Sequence, residues 1–275
     1  MTNVLRGLIG VVHVPAMPGD PGYRGQGGFK GVEEFALADA AALAAGGVDA
    51  IIVENFGSAP FPKGVEGSRL PPHQVALLTL VVRETARRTG LPVGVNCLRN
   101  DVFAALGIAA ATGAAFVRVN VHTGAYVTDQ GLIEGEADRS MRYRAAIDPG
   151  IALAADVLVK HASPLAPLTM TDAVHECLDR GMADAVVVSG VATGAPVRAD
   201  DLREARAAAG NRSVLLGSGL TPERIDELAP LATGAIVGTW LKVDGKLANR
   251  VDPARVRTLA DAVRGRFFGG QPGGE

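Results

Sequence analysis

The stretch SVLLGSGLTPERIDELAPLATGAIVGT, residues 213–239, decides the fold. It opens with an apolar, β-rich run, SVLLGS (213–218). A helical run, TPERIDELAPL (221–231), follows, and then a second apolar strand, GAIVGT (234–239). Strand, helix and strand in so few residues read as one crossover between parallel strands. The junction carries more than topology. Gly217 and Gly219 bare backbone amides, Thr221 is placed to cap the helix, and Pro222 suits its first turn. Free N–H groups and the positive end of a helix dipole then point at one spot, which favours an anion and first of all a phosphate. A plain strand-to-helix turn explains the same residues, and taken alone the stretch does not separate the two.

The same grammar extends in both directions. Six further strands are read at LIGVVHV (8–14), DAIIVEN (49–55), PVGVNCL (92–98), AFVRVNV (115–121), IALAADVLVKH (151–161) and ADAVVVS (183–189). Several are continuous apolar runs, as expected of parallel strands covered on both faces. Helical runs fill the gaps. VEEFALADAAALAAGG (32–47) has apolar spacing of three and four, acids in its first turn and a glycine stop. ADRSMRYRAAI (137–147) is the helix least marked by its pattern. Eight β-then-α units without a composition break predict an α/β fold, a single-domain (β/α)8 TIM barrel over residues 1–268 with a flexible C-terminal tail at 269–275. An open doubly wound sheet is the rival. It usually has fewer strands, and no GxGxxG follows the first one.

Composition bounds the function. The chain has 275 residues, a net charge of −2 and no basic stripe, which disfavours nucleic-acid partners. Cys97 and Cys177 lie far apart within apolar runs and fit no metal spacing. They are expected to pack as small hydrophobes in a reducing, cytoplasmic compartment. The opening MTNVLRGLIGVVHV lacks the pattern of a signal peptide, and no apolar run is long enough for membrane insertion.

Loop lengths are uneven. The connections after strands one, two and four are long (15–31, 56–72 and 122–136), whereas the returns are short. Extra chain therefore gathers at the carboxyl end of the strands, where barrel enzymes place their sites. Polar residues gather there too. Glu54 ends strand two; Asn96, then Arg99, end strand three; Ser189 ends strand six. Arg118, Asn120 and His122 recur at a period of two on strand four, as do Asp156, Leu158 and Lys160 on strand five. His13 ends strand one and is equally readable as a half-buried core histidine. Asn100 and Asp101 are read first as caps of the helix they precede.

A buried Arg118 or Lys160 without a partner is costly. Each needs a carboxylate, of which Glu54, Asp156 and Asp129 are available, or an anionic ligand. The polar loop HTGAYVTDQGLIEGEA (122–137) reads either as plain solvated polarity or as a flap that brings Asp129 over the substrate as a general base or a sugar-hydroxyl acceptor. A metal on Glu54, Asp129, Asp156 and His122 lacks any tight ligand spacing, so neither metal nor cofactor is expected. Glycines after strand seven now gain a counterpart in Gly238 and Thr239 after strand eight. Barrels often hold phosphates with these two loops. Gly217, Ser218, Gly219, Gly238 and Thr239 are the expected phosphate cradle, with Lys242 as a charge partner.

HVPAMPG (13–19), VENFGSAPF (53–61), PVGVNCLRND (92–101), FVRVNVHTGAYVTDQG (116–131), DVLVKHASPL (156–165), VLLGSG (214–219) and AIVGTWLK (235–242) occur in this order. Together they resemble the BtpA/SgcQ family, over about residues 8 to 263. HVPAMPG replaces a more leucine-rich motif, and Ser58 stands where an acid is common. The resemblance implies a barrel. It also implies two different roles: photosystem I biogenesis among cyanobacterial members, and a nucleosidase label on other bacterial members that sit with sugar-metabolism genes. It brings no catalytic residues with it.

The leading expectation is an enzyme that cleaves a glycosidic bond in a phosphorylated sugar or nucleoside-like ligand. Glu54, Asp129 or Asp156 would act as acid and base, and Asn96, Arg118 and Asn120 would orient hydroxyls. A lysine-dependent aldolase or isomerase of a sugar phosphate, built on Lys160, is the second chemistry. A non-catalytic photosystem assembly factor is the third reading, although no amphipathic membrane-binding helix is seen. Analogy with other barrels points to a homo-oligomer.

Overall fold

The computed structural model describes residues 4–25, 27–159, 161–190 and 197–269. Eight parallel strands close into a barrel: β1 (Gly7–His13), β2 (Ala50–Glu54), β3 (Val93–Asn96), β4 (Phe116–Val119), β5 (Ala152–Val157), β6 (Ala185–Val188), β7 (Ser213–Leu216) and β8 (Gly234–Val237). β8 pairs back onto β1, with Gly7 opposite Gly234 and Gly10 opposite Val237. The single-domain TIM barrel expected from the strand pattern is therefore present. Lys160 and residues 270–275 of the expected tail lie outside the described residues.

Alternation along each strand divides the core in two. Ile9, Val11, Ile52, Phe116, Ala154, Val187, Leu215 and Ile236 fill the barrel interior. Their neighbours in sequence, such as Leu8, Ile51, Val53, Val95, Val117 and Leu153, pack outward against the helices. Phe116 can span the interior because β3 offers Gly94 opposite it: a Cβ there would sit 2.2 Å from the ring. Outside, α1 (Gly28–Gly46) lays Val32, Ala36, Ala40 and Leu43 on the strands at helical spacing. A fully buried leucine such as Leu43 contributes about 1.5–3 kcal/mol. α2 (Pro72–Thr89) and α3 (Val102–Thr112) end on left-handed glycines, Gly90 and Gly113. Asp101 caps α3 through the Ala104 amide at 3.0 Å, as read from the sequence. Asn100 instead brackets the backbone of Val121, accepting from its amide at 2.7 Å and donating to its carbonyl at 2.8 Å. ADRSMRYRAAI does form a helix, α4 (Ala137–Ile147).

Two expectations change. The helix predicted over 221–231 is a 3-10 turn (Pro222–Arg224), a four-residue α-helix (Ile225–Leu228) and a second 3-10 turn (Ala229–Leu231). Pro230 removes a donor and breaks the run. The Thr221 side chain does not cap it, so little helix dipole stands behind the glycines. Second, β4 and β5 stop early. β4 ends at Val119, and Leu158 after β5 takes a left-handed φ of 46°. The period-two faces read as far as His122 and Lys160 hold only through Asn120 and Asp156.

The long loop after β4 is a hairpin, Ala125–Thr128 against Gly131–Glu134, with Asp129 and Gln130 at its tip. Ala162–Pro164, from the loop after β5, adds a third antiparallel strand. No helix of the described residues is long and apolar enough to cross a membrane.

Candidate functional site

Strand register assembles the site. His13 pairs with Glu54 across β1 and β2, Glu54 with Asn96 across β2 and β3, and Asn96 with Arg118 across β3 and β4. Four consecutive strands thus hold four polar side chains at one level, inward-facing above the apolar plug of Ile9, Ile52 and Phe116. Asp156 on β5 completes the arc. Arg118 donates to it twice, from Nε to Oδ1 at 2.8 Å and from Nη2 to Oδ2 at 3.0 Å. Asn120 Nδ2 adds a third bond to Asp156 Oδ2 at 2.9 Å. Burial alone would lower the Arg118 pKa, but the charges of Asp156 and Glu54 hold it above its ordinary value. Asn96 Nδ2 donates to Glu54 Oε2 at 2.7 Å, which fixes that carboxylate over the mouth.

Two adjoining cavities open here. The first, about 240 Å³, is walled by His13, Glu54, Phe56 and Arg118 on one side and by Gly217–Thr221 and Gly238–Trp240 on the other. The second, about 270 Å³, is lined by Glu54, Phe56, Phe61, Arg99, Arg118, Asn120, Asp129 and His161. Glu54, Phe56 and Arg118 belong to both and form the shared wall. Arg99 Nε donates to Asp129 Oδ1 at 3.3 Å, so the hairpin tip is drawn to the rim of the second cavity. The Asp129 side chain is 56% exposed there.

Strands six to eight present backbone where strands one to five present side chains. A Cβ on Gly217 would meet Ser189 Oγ at 2.4 Å, and one on Gly238 would meet the His13 ring at 2.5 Å. Glycine at 238 is what lets His13 lie across the mouth, edge-on to Phe56 at 5.0 Å between ring centroids. The Gly217 amide, read from the sequence as bared, instead donates to the Val188 carbonyl at 2.7 Å, because the β6–β7 pairing continues one residue past Leu216. Ser218 Oγ accepts from the Gly190 amide at 3.0 Å. Thr239 begins a 3-10 turn, Thr239–Leu241, at the rim.

The sequence-predicted residues divide accordingly. His13, Glu54, Arg118, Gly217, Ser218, Gly219, Gly238 and Thr239 share the first cavity, and Arg99, Asn120 and Asp129 join Glu54 and Arg118 in the second. Asn96 stands behind Glu54. Asp156 is enclosed as the counter-ion of Arg118, with no side-chain exposure. Ser189 lines a separate cavity with Leu158 and Ser163. His122 lines none of these; its Nε2 lies 2.8 Å from the Gly181 carbonyl oxygen, and burial lowers its pKa. The strand ends before it, so the alternation that would aim it inward is lost. Lys242 does not reach the cradle either: its ammonium lies 2.7 Å from Asp39, which also takes Arg250 at 2.8 Å. Sequence reading missed Asp39, Phe56 and Phe61. Asp39 sits mid-helix with no motif around it, and its partner is 203 positions away. Among the described residues no three histidine, cysteine or acidic side chains converge as a metal site.

A model of the BtpA family matches residues 4–265. The chain is 46% identical to the photosystem I biogenesis protein BtpA of Synechocystis sp., over 93% of this chain and 87% of that protein. It is 44% identical to an uncharacterized protein of Thermococcus kodakarensis, covering 94% and 95% of the two chains. It is 29% identical to the sgc region protein SgcQ of Escherichia coli, over 94% of each. In shape it resembles the N-(5'-phosphoribosyl)anthranilate isomerase of Pyrococcus furiosus, with a TM-score of 0.54, 13% identity and coverage of 94% and 98%. A solved structure described as native KDPGal gives a TM-score of 0.53 at 15% identity, over 93% and 91%. At these identities the two structures speak for the fold alone.

Proposed function

The chain belongs to the BtpA family, and from that premise and the geometry of its mouth we propose that it is an enzyme that cleaves the glycosidic bond of a phosphorylated sugar or nucleoside-like compound. The observation that carries this reading is the shared wall. One cavity joins the glycine-lined β7 and β8 loops to Glu54; its neighbour joins Glu54 to Phe61, Arg99 and Asp129. A ligand of two parts fits two such cavities, with its phosphate against Ser218, Gly219 and Thr239 and its leaving group beside Phe61. The bond between the parts then lies over Glu54. The Glu54 carboxylate takes a proton from the water that adds to the sugar carbon and passes it to the departing group as the glycosidic bond breaks, which releases a sugar phosphate. Asp129 is the second carboxylate of that cavity. Asp156 is not the acting acid, because both of its oxygens already accept from Arg118 and Asn120. It keeps Arg118 charged and aimed at ligand hydroxyls.

The test is turnover of a panel of phosphorylated N- and O-glycosides, read as release of free base or reducing sugar. Glu54→Gln is expected to lower kcat roughly 10²–10⁴-fold while phosphate still binds. Full activity in Glu54→Gln overturns the role of Glu54. Absence of turnover across the panel, together with borohydride trapping of a sugar phosphate on Lys160, would replace it with lysine chemistry.

The name of the Synechocystis relative favours one further reading, a non-catalytic role in photosystem I assembly. Put in place of that relative, Glu54→Gln separates the two. Full accumulation of photosystem I with the variant supports assembly without catalysis.

A further inference from the structure

A phosphate monoester carries close to two charges at neutral pH, and backbone amides alone answer them poorly. The cation expected there, Lys242, is spent on Asp39, as is Arg250. Arg224 is held by Glu227 and by the Val197 carbonyl. Arg118 shares the cavity but is neutralised by Asp156. One other arginine stands directly behind the cradle. Arg255, in the first turn of the helix Pro253–Val263, lies over the indole of Trp240 at 4.2 Å and donates from Nε to the Trp240 carbonyl at 2.6 Å. Its Nη2 would be 3.4 Å from a Cβ on Gly245. Trp240 and Gly245 both line the first cavity. One wall residue, Trp240, therefore holds the guanidinium and a second, Gly245, lies beside it, and its two Nη groups form no hydrogen bond or ion pair among the described residues.

We propose that Arg255 is the charge partner of the phosphate, reaching it past Gly245, and that it makes this end of the mouth select a phosphate dianion. This rests on the phosphate cradle of the proposed function. Nε anchored to Trp240 O and the plane stacked on indole fix the guanidinium before any ligand arrives, so little rotamer freedom is lost on binding. Gly245, at φ 63°, leaves the gap between guanidinium and cavity unfilled. A side chain there would be strained and would stand between the two. Glu223 is the acid that senses Arg255, but its hydroxyl and amide bonds, first from Thr221 and then from its own backbone, do more to hold its carboxyl low. The two form no ion pair within 4.0 Å. Lys246, exposed on the same turn, is the rival cation.

The experiment is titration calorimetry with inorganic phosphate on the whole chain, for wild type, Arg255→Gln, Arg255→Lys, Gly245→Ala and Lys246→Ala. Wild type and Lys246→Ala are expected to bind alike. Arg255→Gln and Gly245→Ala are expected to bind at least tenfold more weakly, and Arg255→Lys to fall between. Wild-type affinity is expected to drop as pH falls below the second phosphate pKa, near 6 to 7. If wild type binds phosphate and Arg255→Gln binds it equally, the assignment of Arg255 is overturned while the cradle stands. A loss confined to Lys246→Ala overturns it in favour of that lysine. If wild type does not bind phosphate at all, the cradle itself fails. Should Arg255→Gln not fold, Arg255→Lys and Gly245→Ala decide, since equal binding by both also overturns the assignment.

Discussion

The two halves of the barrel mouth solve one problem by opposite means. From β1 to β5 the rim is made of side chains, His13, Glu54, Asn96, Arg118 and Asp156, with Glu54 bonded to Asn96 and Arg118 to Asp156 across adjacent strands. From β6 to β8 it is made of backbone, with glycines at 217, 219 and 238. The side-chain half carries the chemistry that needs charge and protons, and it must bury that charge to aim it. The backbone half carries none; strand pairing already takes the Gly217 amide, and the space there is made by glycines just past the strand ends. A rim built this way is sensitive to loss of atoms on one side and to gain of atoms on the other.

The largest effect is expected at Asp156. Asp156→Ala leaves Arg118 buried without its counter-ion and should cost about 3–5 kcal/mol in chemical denaturation. Combining it with Arg118→Met should restore much of that loss. If the single change is mild, the side-chain half is not held by this pair.

The backbone half should fail by crowding. Gly217→Ala places a methyl within 2.6 Å of Val187 and Ser189 atoms, and a loss of about 1–3 kcal/mol is expected. Gly238→Ala meets the His13 ring most closely, at 2.5 Å, with Val11 Cβ no nearer than 3.5 Å, so His13→Ala should relieve much of its cost in a double-mutant cycle. Additive losses for that pair would show that His13 does not lie where β8 leaves room for it.

Outside the rim, His122 offers a pH test. Burial places its folded pKa below the usual 6.5, so the unfolded chain takes up a proton first as pH falls. Stability from this group is intact above about pH 6.5 and is lost below it, by at most about 1.4 kcal/mol per pH unit until the lowered folded pKa is reached. His122→Gln should flatten that slope in urea titrations between pH 7 and 5. An unchanged slope would assign it to other groups.

The smallest effect on stability is expected at Asp129. Its pair with Arg99 is half in solvent and is worth at most about 1 kcal/mol. Asp129→Ala should barely move the denaturation midpoint yet lower turnover, which would mark the hairpin tip as part of the second cavity's work. Loss of stability without loss of turnover would reduce it to a structural clasp.

The barrel was legible because eight apolar runs and eight helical runs alternate without interruption, the count a closed barrel needs and more than a doubly wound sheet usually has. The polar arc was legible as far as strand alternation held. Glu54, Arg118 and Asp156 could be named because inward and outward positions are two residues apart. His122 escaped because β4 ends at Val119, and nothing in VNVHTG marks that end. Lys242 was misassigned for a different reason. Its partner, Asp39, lies on α1 and is brought to β8 only by closure of the ring. The hairpin at 125–134 did carry a signal, alternation on both sides of a two-residue turn before Gly131. Phe56 and Phe61 sit in a loop without periodicity, where only coordinates reveal a wall.

The third strand laid beside that hairpin has a mechanical result. Val127 faces Ser163 and Thr128 faces Ala162, so the segments that follow β4 and β5 are stitched by backbone bonds into one plate. Neither edge can swing without dragging the other. Deuterium uptake at Val127 and Ser163 should rise and fall in step, and an insertion at either turn should loosen both.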